Sequence, residues 1–491
     1  STLGELPAAY IPAKKKVDDS SLDIVAAGYK DALALISDQT MQEDILRRLA
    51  MIELRYAEGR QVKESSATPE AVYANAIATY NTLINTQQYR KDNDKLLYPL
   101  AKAYEFSGDM PASLQTFDRL VKEFPESNYY SEAQFRRGEM LFSNADYDAS
   151  AAAYRAIVRR HLRDESQPDH QPSSFLINAY YMLGWAEFKL ELHDEALRSF
   201  VVVLDEYTQK AIAGYGTRSS DELLQDTFRV MALSFSYTNG AQTIASLLDE
   251  IDERPYSDRL FAELGDLYLK KKRYRDSAAV FNSFVERYPQ SDKAPEFHQR
   301  QIDAFAAGRF PQEVREQKRR FAANYAVDGE FWQSAAEETQ VFIKSKLTVY
   351  LAELASYHHN LAQQSKAKWQ SKGSLATGLA AVQQHFRDAS GWYKEWIRSF
   401  PGAADLPEKY FLLGETHYEA SDYEPAIAAY EMAAYGFNYG NYYTLPANYA
   451  ATAQSSSAPM ESDLASTAQG TDDGPLNTQC GTTEDLGCAT T

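Results

Sequence analysis

The chain has 491 residues, 44% of them hydrophobic and 24% charged. That balance is ordinary for a folded protein, but the length exceeds a single compact core, which stops growing at about 250–300 residues. Its 50 basic and 69 acidic side chains leave a formal charge of −19, which argues against a nucleic-acid or anionic-lipid binder at whole-chain level, because both need a cationic face.

In chain order, residues 1–20 carry Pro7, Pro12 and lysines at 14–16 and read as an extended leader. Apolar residues then recur at helical spacing. Helices are predicted over 23–37 and 42–58 with a break near Asp38 and Gln39, a loop over 59–68, and a helix over 70–85. Pro69 suits the first turn of that helix, where its missing N–H would be unpaired anyway.

Six stretches next repeat one spacing. The clearest places Gly265, Tyr268, Tyr274, Ser277, Phe281 and Pro289 at fixed offsets. Leu100, Ala101, Tyr104, Gly108, Ser113, Phe117 and Pro125 form another unit. Gly138, Leu141, Ala145, Tyr147, Ser150 and Tyr154 form a third. Leu183, Gly184, Ala196 and Phe200 form a fourth, with Glu187 where an aromatic is expected. A weaker unit holds Ala304, Gly308 and Phe310, and the last holds Gly414, Ser421, Tyr423, Ala426 and Tyr430.

A period of about 34 residues with small and aromatic positions in register is the mark of helix pairs stacked in an array. No pair can bury its apolar face alone, so each must lie against its neighbours. Small residues let two helices approach, and aromatics fill the gap to the next pair. Gly108 and Gly308 are expected in turns that require positive φ. The prolines are expected where a hairpin ends.

Residues 161–174, with Pro168 and Pro172, read as an exposed loop, and 207–220 as a second insertion. The stretch 221–253 is helical in pattern. Residues 329–371 contain no proline and almost no glycine, and read as one long interrupting helix that Gly373 breaks. After Phe437 the pattern stops. Tyr439, Tyr442, Tyr443 and Tyr449 precede a Ser/Thr/Ala-rich acidic stretch unable to bury enough surface to fold alone. No Lys or Arg follows Lys409, whereas 11 acids do.

The expected organisation is all-α: a leader over 1–20, a helix-hairpin array over 21–328, a long helix over 329–372, further hairpins over 373–437, and an extended or disordered tail over 438–491.

Basic clusters at 159–163, 270–275 and 315–320 read as solvated helix faces or as sites for an acidic segment. The two cysteines, Cys480 and Cys488, are candidates for a small disulfide loop or for two free thiols. They are too few for a metal site. No phosphate-binding glycine loop, His-Glu-x-x-His, Cys-x-x-Cys or Gly-x-Ser-x-Gly occurs. His358 and His359 point about 100° apart on a helix and cannot chelate one metal from a single face. Asp169 and His170 would need distant partners. These absences argue against catalysis and leave no cofactor to expect.

The spacing resembles tetratricopeptide repeats over about residues 42–437. The units around Gly138, Gly265 and Gly414 carry the match. The run Phe284, Val285, Glu286, Arg287, Tyr288, Pro289 is similar to bacterial cell-envelope members such as the outer-membrane β-barrel assembly lipoprotein. The resemblance implies an α-solenoid of stacked hairpins in a right-handed superhelix, binding of proteins or peptides on its concave side, and no catalysis. The Ser-Thr-Leu-Gly start fits a bacterial lipoprotein cleaved beside an acylated cysteine just before Ser1, and the cysteine placement suits an oxidising compartment, so a periplasmic setting is expected, with membrane association only through that lipid anchor.

In such a stack the first helix of each hairpin supplies the groove. By register that surface holds Lys95, Tyr98 and Lys102; Glu132, Phe135, Glu139 and Phe142; Asn178, Tyr181, Trp185 and Phe188; and Arg259 and Asp266. Phe135, Phe142, Trp185 and Phe188 are read either as groove or as core between hairpins. Three functions remain open at this stage: a cell-envelope scaffold holding subunits of a larger assembly, a cytosolic adaptor clamping acidic peptides through Lys95 and Lys102, and an enzyme with an accessory array.

Overall fold

The computed structural model describes residues 19–63, 68–86, 91–166, 172–371, 373 and 376–436. Residues 1–18 of the leader, Asp169, His170, Cys480, Cys488 and the tail beyond 436 lie outside the described residues, and the expected leader's last two residues already belong to the first helix. Among those described there are twenty helices and no strand. No helix among them is long and apolar enough to cross a membrane. The chain divides into two compact units between Ile343 and Lys344.

The first unit opens with α1 (Asp19–Leu35) and α2 (Gln39–Lys63), separated where the Asp38 carboxylate accepts from the Met41 N–H at 2.9 Å. α3 (Pro69–Thr86) starts on the expected proline. Hairpins follow in pairs: α4 (Asp94–Ser107) with α5 (Met110–Glu123), α6 (Tyr130–Ser143) with α7 (Tyr147–Asp164), and α8 (Leu176–Lys189) with α9 (His193–Ile212). Then come α10 (Arg218–Tyr237) with the short α11 (Ala241–Ile251), α12 (Ser257–Lys270) with α13 (Tyr274–Arg287), and α14 (Ala294–Ala307) with α15 (Pro311–Asn324). Most helices pack chiefly on those before and after them, while α10 packs past the short α11 onto α12, so the core is a chain of local clusters. This is the stacked-hairpin α-solenoid that the spacing predicts.

The hairpins share one steric lock. Gly138, Gly184 and Gly265 of the first helices face Tyr154, Phe200 and Phe281 of the second. A Cβ on any of these glycines would lie under 3.0 Å from the ring. A second-helix hydroxyl completes the lock at Gly138 and Gly265 and at the equivalent Ala101: Ser150 Oγ donates to the Gly138 carbonyl at 2.9 Å, Ser277 to Gly265 at 2.8 Å and Ser113 to Ala101 at 2.8 Å, while the Gly184 hairpin has Ala196 there. All three hydroxyls are buried and satisfied, as buried polar groups must be.

Gly108 has φ +89°, as expected of its turn. Gly308 does not: its φ is −78°, and Arg309 takes the left-handed conformation at +60°. Gly308 is instead needed for space, since a Cβ there would collide with the Phe310 ring and the Tyr274 Cβ.

Two predicted loops are shorter than their composition suggests. α7 continues to Asp164, and α9 runs through Tyr207 to Ile212, because both stretches extend an amphipathic helix before the polar residues begin. α10 then starts on a capping box in which Thr217 and Ser220 satisfy each other's backbone N–H. Glu187, standing where the repeat calls for an aromatic, is 3% exposed. Arg155 Nη2 at 2.8 Å and Ser199 Oγ at 2.7 Å both donate to it, so the buried carboxylate is paired.

The stretch 329–371 is two helices. α16 (Glu330–Ser334) ends before an extended Ala335, and α17 (Glu337–Ser371) carries the long run into the second unit. There α18 (Ala376–Ser399), α19 (Leu406–Glu419) and α20 (Tyr423–Tyr435) follow. Trp396 Nε1 donates to the Thr348 carbonyl at 3.2 Å, tying α18 to α17. His358 stacks on Trp392 and His359 meets the Tyr393 hydroxyl, so the two rings are used separately in packing. Gly414 repeats the glycine lock under Tyr430.

Candidate functional site

The predicted surface lies on α4, α6, α8 and α12, the first helices of their hairpins. Each of these touches the next first helix along the stack. Tyr98 of α4 stacks on Tyr129 at the start of α6, with ring centroids 4.4 Å apart. Phe135 of α6 meets Phe175 at the start of α8 at 5.4 Å. The Tyr181 hydroxyl of α8 donates to Asp226 Oδ2 of α10 at 2.5 Å. Arg259 of α12 lies 3.9 Å over the Phe228 ring of α10, and Arg300 of α14 donates to Asp266 of α12 at 2.5 Å.

The individual placements differ in kind. Lys95 is exposed, while Lys102 is half-buried with its ammonium 5.8 Å from the Tyr98 ring and 5.3 Å from Phe106. Phe135 is 5% exposed and packs against Tyr154, so it belongs to the core between hairpins. Phe142 is half-buried against Tyr147 at the end of its helix. Asn178 is half-buried at the start of α8. Trp185 and Phe188 are half-buried edge to face, 5.8 Å apart. Phe188 continues to His193 and Tyr237, and the Arg229 guanidinium sits 5.9 Å from Trp185.

Glu132 and Glu139 flank Arg136, a residue that periodicity alone does not single out. Arg136 donates to Glu132 Oε1 at 3.1 Å and to Glu105 Oε1 of α4 at 3.1 Å. Glu105, Arg136, Asp226, Arg229 and Arg300 are the missed members of the surface. The signal that could have found Arg136 is its i,i+4 spacing from Glu132. The partners on neighbouring helices lie 31 to 45 residues apart, and only stacking brings them together.

Burial pushes the Glu139 carboxyl up to about 7, with Arg136 opposing and the Glu105 charge adding to the rise. A folded-state value above the unfolded one means stability is lost as pH rises through about 7. Glu139→Gln is therefore expected to stabilise the chain by about 3 kcal/mol at pH 8 and to leave it nearly unchanged at pH 4.5. Urea denaturation at the two pH values checks this, and equal effects at both would refute it. The Tyr181 hydroxyl is likewise raised, by burial first and then by donating to Asp226.

Among the described residues no three His, Cys, Asp or Glu side chains converge as metal ligands. What the surface offers is a row of aromatic faces edged by paired charges.

Tetratricopeptide-repeat family models match residues 98–165 and 263–291. These are the α4 to α7 hairpins and the α12–α13 hairpin, where the glycine lock or its Ala101 equivalent is found. No curated protein matches the chain. Among solved structures, the C-terminal part of a TPR repeat-containing protein from Cytophaga hutchinsonii is 13% identical. That match covers 72% of this chain and 98% of the other, with a TM-score of 0.24. The quorum sensor NprR from B. thuringiensis, in its apo form, is 13% identical over 78% of this chain and 96% of its own, with a TM-score of 0.24. Overlap at that level carries no argument about partners. The spacing, the shared hairpin geometry and the two family matches agree: this chain carries tetratricopeptide repeats within an array of stacked helix hairpins.

Proposed function

We propose that the chain is a non-catalytic protein–protein interaction scaffold in which the first-helix row from α4 to α14 holds a segment of a partner protein and so helps assemble or anchor a larger complex. The observation that carries this reading is the unbroken contact from each first helix to the next, with an aromatic or charged side chain at every step. A few large anchors on such a row suffice for recognition of an extended or helical peptide.

The setting we propose is the bacterial cell envelope, on the periplasmic side. The absence of cysteine before Cys480 supports an oxidising compartment, as does the resemblance of the repeats to envelope members. Fractionation of the native host that finds the chain wholly cytosolic would remove this part.

A photo-crosslinking residue at Trp185 is expected to capture a discrete partner, and one at the exposed Arg159 on α7 is not. Tyr181→Ala combined with Trp185→Ala is expected to reduce partner recovery at least tenfold, a loss of about 1.4 kcal/mol or more, with helicity retained. Unchanged recovery, or equal adducts at both positions, would overturn the proposed surface.

A further inference from the structure

In the three interior hairpins locked at Gly138, Gly184 and Gly265, one second-helix position is sealed by the hairpin that follows. Ala151, Leu197 and Ala278 occupy it and are 2%, 1% and 1% exposed. They lie in clusters that include the next first helix. The corresponding residue of α20, Ile427, is 58% exposed. The first-helix position three residues before the glycine tells the same story: Phe135 is 5% exposed and Phe411 of α19 is 50% exposed. Tyr418, Tyr423 and Tyr435 extend the open face at 56%, 57% and 62%. Their rings form pairs, Phe411 with Tyr430 at 5.8 Å and Tyr418 with Tyr423 at 5.7 Å. A terminal repeat ordinarily needs a polar outer face to stay soluble. The α19–α20 hairpin instead keeps an interior composition.

The chain that follows supplies a matching occupant. Residues 437–449 include Phe437, Tyr439, Tyr442, Tyr443, Leu445 and Tyr449 and contain no charged residue. Beyond them the sequence is acidic, with Glu461, Asp463, Asp472, Asp473, Glu484 and Asp485. The open face carries acids too, with Glu424 and Glu431 exposed on α20 and Glu415 half-buried on α19. A neutral aromatic segment is accepted there, and tyrosine hydroxyls can donate to those carboxylates as Tyr430 already does to Glu415 at 2.5 Å. The acidic remainder is repelled. Reach is ample, since thirteen extended residues span roughly 40 Å whereas a helix the length of α20 spans about 20 Å. Attachment directly after Gly436 gives the segment a high effective concentration at the face.

We propose that residues 437–449 lie across the outward face of α19 and α20 as an apolar strap, in the place a further hairpin would occupy. Gly440 and Pro446 favour an extended path over another helix. The proposal is independent of where partners bind along the first unit.

The test is hydrogen exchange on the full chain at micromolar concentration, read by peptide mass spectrometry. Amides of 437–449 are expected to exchange at least about tenfold more slowly than in the same sequence as a free peptide. The triple variant Tyr439→Ser, Tyr442→Ser, Tyr443→Ser should return them to the peptide rate and speed exchange in α20, with α12 and α13 unchanged as an internal control for folding. Ile427→Glu alters only a solvent-facing side chain of the hairpin and should release the segment in the same way. Exchange of 437–449 at the peptide rate in the unaltered chain overturns the proposal. So does protection that grows with concentration alongside a dimer in sedimentation, which would mean that a second copy covers the face.

Discussion

Phe281→Ala is expected to destabilise the first unit by about 3–5 kcal/mol, the range for removing a fully buried phenylalanine. The ring is 0% exposed. It lies edge-on to Phe297 at 6.0 Å, under the Arg300 guanidinium at 4.4 Å, and directly over Gly265. Truncation therefore opens the lock inside one hairpin and its seal to the next. Gly265→Ala attacks the same lock from the other side. The new methyl has no room, and overpacking costs about 1–3 kcal/mol, more than the gain of about 1 kcal/mol in helix propensity. In the double variant the methyl occupies space the ring has left, so the penalties should fall short of additivity by about 1–3 kcal/mol. Urea denaturation followed by circular dichroism, with hydrogen exchange locating the loss in α12 and α13, measures each step. Simple additivity would show that glycine and ring do not share one site.

The second large effect is acid sensitivity. His298 on α14 is 2% exposed, neither ring nitrogen has a hydrogen-bond partner, and Phe321 and Tyr325 enclose it. Burial pulls its pKa down to about 4, the neighbouring Gln317 amide offsetting this in part and the Arg320 charge adding to it. Between pH 6.5 and about 4 the unfolded chain binds a proton that the folded chain refuses, so stability falls as pH drops. The loss from this one group reaches about 3 kcal/mol at pH 4. His298→Leu should lose that slope while matching the parent within about 1.5 kcal/mol at pH 7. Denaturation curves at pH 7 and pH 4.5 decide it, and an unchanged pH difference in the variant would refute the assignment. His417 in the second unit is buried at 4% exposure without a hydrogen-bond partner and is held at about 4 for the same first reason.

Half of the surface logic is legible in the amino-acid sequence. The glycine-to-aromatic spacing of sixteen residues in the units at Gly138, Gly184, Gly265 and Gly414 is a local relation within one hairpin, so it shows in the linear order of residues. The helix start at Pro69, the break at Asp38 and the hairpin end before Pro125 follow from capping and turn chemistry alone, whereas the break between α10 and α11 falls inside the stretch 221–253 that the pattern reads as helical throughout. Registers that face the next hairpin are a different matter. Arg136 finds Glu105, Tyr181 finds Asp226 and Arg300 finds Asp266 at separations that vary with the length of the intervening hairpin.

Sequence by itself thus determined the helical class, the repeating hairpin, the lack of catalytic motifs and the identity of the locking residues, because each depends on contacts within about one turn or one pair of helices. Tertiary structure alone decided which candidates face outward and which are sealed. Phe135 and Phe411 share a register and a side-chain type, yet one is 5% exposed and the other 50%. Whether another hairpin is stacked on top is what separates them, and burial is a property of that neighbour rather than of the residue.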